Sequence, residues 1–135
     1  MEDVIAEAQS LTDKYVVAPK VLEKQQIRID VNNPDGFSFS LHLDGSEYVL
    51  VFGDWHQPFG KQEEALLAFA KCLSGEAQLR IVTSLNVPYR ATLEILDSDA
   101  QRPQVRYVMG SVLGLLLFPF HKKERVYRNS FTRAS

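Results

Sequence analysis

Near residue 27 the hydrophobic period of this chain changes from 3.6 to 2, and that change decides most of what it can fold into. Upstream, Val4, Ile5, Ala8, Leu11 and Tyr15 recur at helical spacing. Glu2, Asp3 and Glu7 fall in the first turns of this predicted helix, residues 2–15, where the helix dipole favours negative charge. Pro19 interrupts residues 16–26, which predict no element. Downstream, Ile27, Ile29 and Val31 alternate with Arg28 and Asp30. Asn32-Asn33-Pro34-Asp35-Gly36 is dense in turn formers. Phe37, Phe39, Leu41 and Leu43 then alternate with Ser38, Ser40 and His42. Asp44-Gly45 marks a hairpin, and residues 47–52 make a third strand. The pattern predicts a three-stranded antiparallel meander.

Residues 53–60, with Asp54, Trp55, His56, Pro58 and Phe59, read as a loop. From Lys61 the helical period returns, with Ala65, Leu66, Phe69, Ala70, Cys72 and Leu73 as its apolar stripe and Gly75 as its stop. Strands follow at residues 79–83, 89–96, 104–109 and 113–118, with Asn86-Val87-Pro88 and residues 97–103 as connections. Residues 127–135 read as an ordered end that frays. Strands outnumber helices and do not alternate with them, which excludes a parallel βαβ fold. The expectation is one α+β domain over residues 1–135. It is an antiparallel sheet of six to seven strands with two helices packed on one face, in the order α-β-β-β-α-β-β-β(-β).

Apolar residues make up 45% and charged residues 24% of the chain, the balance of a globular domain. A net charge of -2 gives no domain-wide basic footprint for nucleic acid. Cys72 is the one cysteine, so no intramolecular disulfide forms; a reducing compartment fits, and its place on the helical stripe makes it a small buried hydrophobe. Met-Glu-Asp begins no signal peptide pattern. The apolar stretch at residues 108–120 falls short of the about 20 residues that span a bilayer, so a buried strand or bent pair of strands is expected. These features point to the cytoplasm and away from a membrane. The phosphate-loop, dinucleotide, zincin and nucleophile-elbow motifs are all missing, so an enzyme here would have to assemble its site in three dimensions.

Asp54, Trp55, His56 and Phe59 form the leading candidate binding site, with Trp55 as anchor and His56 as polar contact. The favoured assignment of the motif is nonetheless structural: Trp55 and Phe59 plug the end of the core and His56 caps or satisfies backbone, since most aromatics near element ends simply pack. His42, His56 and His121 come from three segments without ligand spacing, so no metal and no cofactor is assigned. Lys122, Lys123, Arg125 and Arg128 make a basic patch, opposed locally only by Glu124; a solvated strand end and tail explains it better than an acidic partner or nucleic acid does. Glu63 and Glu64 suit a helix start, and Asp97 and Asp99 suit a turn. No carboxylate is assigned a catalytic role.

Two segments carry a resemblance. Trp55-His56-x-x-Phe59 before an acidic helix start is one; Leu116-Leu117-Phe118-Pro119-Phe120, then Lys122-Lys123 and Tyr127-Arg128-Asn129, is the other. Together they resemble a group of small uncharacterised bacterial proteins. Where that group carries a further aromatic, this chain has Ala91-Thr92-Leu93. The resemblance implies a bacterial source and supplies no catalytic residue. The function expected is a non-enzymatic protein-binding module, of the immunity or adaptor kind. One alternative is a small-molecule-binding or enzymatic domain with a pocket near His56. A second is a nucleic-acid-associated protein using the basic run, which the net charge disfavours. A homodimer through the apolar stretch stays open.

Overall fold

The computed structural model describes residues 4–15, 20–22, 25–96, 103–110, 122–129 and 131. Two helices and nine strands lie among them. The order is α1 (Val4–Thr12), β1 (Lys20–Leu22), β2 (Gln26–Ile29), β3 (Phe39–Asp44), β4 (Glu47–Phe52), β5 (Trp55–Phe59), α2 (Gln62–Ser74), β6 (Ala77–Ser84), β7 (Val87–Leu96), β8 (Pro103–Gly110) and β9 (Lys122–Arg128).

The α+β class and the antiparallel pairing hold. The single sheet does not. The strands form a five-stranded sheet in the order β1-β2-β3-β4-β5 and a four-stranded sheet in the order β8-β7-β6-β9. The predicted meander is the centre of the first sheet, extended by one strand on each side. The second sheet departs from sequence order because β9 returns to pair with β6. No local pattern encodes that return. The expected strand at residues 113–118 and the loop at residues 97–102 lie outside the described residues.

The largest local correction is at residues 53–60. Gly53 takes a φ of 61° and, with Asp54, forms a two-residue turn. Residues 55–59 then run back as β5 beside β4, Phe52 facing Trp55 and Tyr48 facing Phe59. The expectation for all of residues 53–60, Pro58 included, was a loop. On an edge strand, proline's missing N–H need cost no ladder bond. Residues 122–128, read as charge with a strand end, likewise form a full strand. β9 is the outer strand of its sheet, and charged side chains on an outer strand discourage edge-to-edge pairing with other chains.

α2 packs against β4, β5 and β6, so it touches both sheets, while α1 lies on α2 and β2. One continuous core results, joining Ile27, Phe39, Leu41 and Leu50 of the first sheet to Leu79, Ala91 and Leu93 of the second through Phe69, Cys72 and Leu73 of α2. Rings run through it: Phe37 meets Phe52 at 5.6 Å, and Phe39 meets Phe69 at 5.3 Å, edge to face. Each such pair adds about 0.5–1.5 kcal/mol beyond area burial. Gly75, at φ 82°, ends α2 as expected. Cys72 is fully buried, and burial pushes its thiol far above the ordinary value. No helix among the described residues is long and apolar enough to cross a membrane.

Candidate functional site

The register of the first sheet sets out its two faces. Ile27, Ile29, Phe39, Leu41, Leu50 and Phe52 point to the core. The intervening residues lie on the outer face, in rows across the strands. Arg28 faces Ser40, Ser40 faces Val51, and Val51 faces His56, which makes one row. Gln26, His42, Val49 and Pro58 make the next. These rows border an open depression of about 550 Å³, lined by His42, Val49, Val51, Trp55, His56 and Pro58, with Asp44, Glu47 and Asp54 at its ends. A second depression of about 300 Å³ lies toward Gln26, Arg28 and Ser40 and shares His42, Val51 and Gly53 with the first.

The polar chemistry of this face is specific. Ser40 Oγ lies 2.7 Å from His42 Nε2. Burial lowers the pKa of His42, so the neutral ring is favoured, and its tautomer sets which of the two groups donates. Arg28 Nε is buried and lacks a hydrogen-bond acceptor; the Asp30 carboxylate lies 3.3 Å from it without the geometry of a bond. Among the described residues no three His, Cys, Asp or Glu side chains converge as a metal site would require. His121 lies outside the described residues.

The four residues of the expected loop site are separated by the pleat of β5. Phe59 is buried and meets Tyr107 of β8 edge to face at 5.0 Å, joining the two sheets. Trp55 is half-buried and packs against the core. It also lines the outer depression and a crevice of about 310 Å³ that reaches Ile81 and Tyr127. His56 is exposed on the outer face, and Asp54 is exposed in the turn. The motif is therefore divided by burial: Phe59 belongs to the core, His56 to the surface, and Trp55 to both.

The basic patch divides too. Arg128 Nε donates to the Gly75 carbonyl at 2.6 Å, and an Arg125 terminal nitrogen donates to the Pro34 carbonyl at 3.1 Å. Both tie β9 to other elements. Lys122 and Lys123 are exposed, and Lys122 Nζ lies 5.8 Å from the centre of the Tyr89 ring. Glu63 and Glu64 occupy the first turn of α2, as their helix-start reading requires. Asp97 and Asp99 lie outside the described residues.

Two polar groups central to the structure carry no signal in the sequence. Glu94, 3% exposed, accepts hydrogen bonds from Gln78 at 2.8 Å, Arg80 at 3.2 Å and Arg106 at 3.1 Å. Burial raises its pKa, but the bonds from Gln78 and Arg106 and the charge of Arg80 outweigh this and hold it below the ordinary carboxylate value. Arg80 continues to Glu124 at 3.0 Å, so the network crosses all four strands of the second sheet. Asn129, also 3% exposed, accepts from the Phe37 amide at 2.8 Å and donates to the Cys72 carbonyl at 3.4 Å. Only cross-strand register and long-range closure bring these partners together. Comparison of the chain with protein-family models, with curated proteins and with solved structures gives no match.

Proposed function

We propose that this protein is a non-enzymatic, cytoplasmic protein-binding module whose recognition surface is the outer face of the first sheet around His56. The observation that carries this reading is the depression in that face. Its floor is apolar at Val49, Val51 and Pro58, and its rim is polar at His56 and Asp54. An apolar centre inside a polar rim is the anatomy of a protein interface. The depression is open, which suits a partner's surface better than a small ligand that needs enclosure. Trp55, fixed from behind by the core, supplies a rigid aromatic at the margin.

The test is affinity capture from a lysate of the source organism with three folded proteins: the intact chain, a Val51→Arg, His56→Ala variant, and a Lys122→Glu, Lys123→Glu variant. The expected result is a stoichiometric partner held by the first and third and lost by the second. Equal capture by all three would reject the face. Loss confined to the lysine variant, with steep salt dependence, would favour the basic strand and an acidic or nucleic-acid partner.

The Ser40–His42 pair favours a second reading, a hydrolytic site in the same face, because a hydroxyl within bonding reach of a neutral imidazole is the start of a nucleophile–base pair. Ser40 is 6% exposed, which leaves a substrate little approach. Stoichiometric labelling of Ser40 by a fluorophosphonate would decide for this reading.

A further inference from the structure

The outer face of the first sheet is electrically lopsided. The depression beside Arg28 is lined by Gln26, Ser38, Ser40 and His42, and neither Asp nor Glu lines it. The adjoining depression has an apolar floor, with its carboxylates confined to the two ends at Asp54 and at Asp44 and Glu47. Arg28 stands on β2, at the end of the row away from those carboxylates. Its Nε is buried without a hydrogen-bond partner, its side chain is 41% exposed, and among the described residues its ion-pair partner is Asp30 at 3.3 Å. From Arg28 the row runs through Ser40 and Val51 to His56, three strand spacings or roughly 14 Å. A cation with amide and hydroxyl neighbours thus stands beside an apolar strip at Val51, Val49 and Pro58.

We infer that this face binds the free C-terminus of a partner polypeptide ending in apolar residues, its carboxylate on Arg28 and its last side chains over Val51, Val49 and Pro58. A guanidinium suits a carboxylate because its planar fork meets two oxygens at once. Gln26 supplies a further amide donor in the neighbouring row. A dianionic phosphate fits less well on a face whose ends carry three carboxylates. The strip needs an apolar stem beside the charge, which a terminal valine or leucine provides. The inference rests on the proposed binding face and names the chemistry that the face selects.

The experiment uses N-acetyl-Ala-Val-Leu with a free carboxylate, the same peptide as its C-terminal amide, and N-acetyl-Ala-Val-Glu-amide, each titrated against the ¹⁵N-labelled protein. The free acid is expected to shift the amides of Arg28, Ser40 and Val51 with a millimolar dissociation constant. The amide and the side-chain acid should bind at least tenfold more weakly. Arg28→Gln should erase the preference and Arg28→Lys should retain part of it. Equal binding of acid and amide, a preference that survives Arg28→Gln, or no shift on this face from any peptide would overturn the inference, and stronger binding of the side-chain acid would replace the terminus with an acidic side chain. Partner capture separates the two levels: if Val51→Arg abolishes capture while acid and amide bind alike, only the terminal-carboxylate inference fails. If Val51→Arg leaves capture intact and no peptide binds, the face itself fails.

Discussion

Leu85 occupies a φ of 53° and Asn86 a φ of 65°, so the two-residue turn between β6 and β7 places both central residues in the left-handed region. Asparagine tolerates that region and leucine does not, at about 1–2 kcal/mol for a side chain with a Cβ in the way. Leu85 is 60% exposed, so little packing offsets the strain. Leu85→Asn should therefore raise stability by about 1 kcal/mol, read from the urea midpoint at unchanged slope. Asn129 is the opposite case. Asn129→Ala strands a buried amide at Phe37 and a carbonyl at Cys72, and should cost about 1–3 kcal/mol in the same assay. Leu85 does not stand out in the sequence, and Asn129 enters it only as the end of the Tyr127-Arg128-Asn129 segment. Asn129 sits in a charged tract, and its importance comes from partners 92 and 57 positions away. Leu85 lay between the expected strand at residues 79–83 and the Asn86-Val87-Pro88 connection, and the turn's dihedral angles, not its composition, make it unusual.

At the scale of elements, the sequence reveals what is local. The β2–β3–β4 meander and α2 with its glycine stop follow from period and punctuation, and the structure has them close to the expected bounds. β5 was not legible, and its residues read as a loop. Trp55, Gln57 and Phe59 are more buried than His56 and Pro58, but polar Gln57 at an inward position keeps that period of 2 out of the hydrophobic pattern. The second sheet was less legible because its register brings Gln78, Arg80, Glu94 and Arg106 together from three strands. That network has a pH signature. The folded-state pKa of Glu94 lies below its ordinary value of 4.5, so the carboxylate's contribution is present above that value and is lost as pH falls through the folded-state pKa. Stability measured by urea unfolding should fall below pH 4.5 in the native chain. In Glu94→Gln the loss should be shallower, from a lower plateau at neutral pH. His42 acts in the same direction in another window. Its pKa is lowered in the fold, so its neutral ring favours folding above the ordinary 6.5, and that contribution is lost as pH drops below 6.5. An NMR titration should place its midpoint below that of unfolded chain.

At the scale of the molecule, one core serves two sheets, and Cys72 at its centre reports on the whole. Its thiol is inaccessible and held protonated, so a disulfide reagent should leave the native protein unmodified and react at a rate set by opening of the fold. Labelling that outpaces global unfolding would show that α2 detaches by itself. The candidate site follows the same division between local and non-local signal. The region around Trp55 and His56 was legible as a place; Arg28 and Ser40, which complete it, were read only as the polar half of alternating strands. The site's rows exist only once β2, β3, β4 and β5 stand side by side.

The strand order β8-β7-β6-β9 means that the β6–β7 hairpin is held on both sides by strands that follow it in the chain. The Arg128 amide reaches back to the Asp35 carbonyl at 2.7 Å as well. The domain can thus be regarded as a body with a two-pronged clasp. Severed between Leu96 and Pro103, the chain would yield one piece with a groove on each side of a hairpin and another with the strands that fill both. Such halves, fused to the fragments of a split fluorescent protein, should bring the fluorophore together without a covalent link, and Asn129→Ala in the shorter half should dim it.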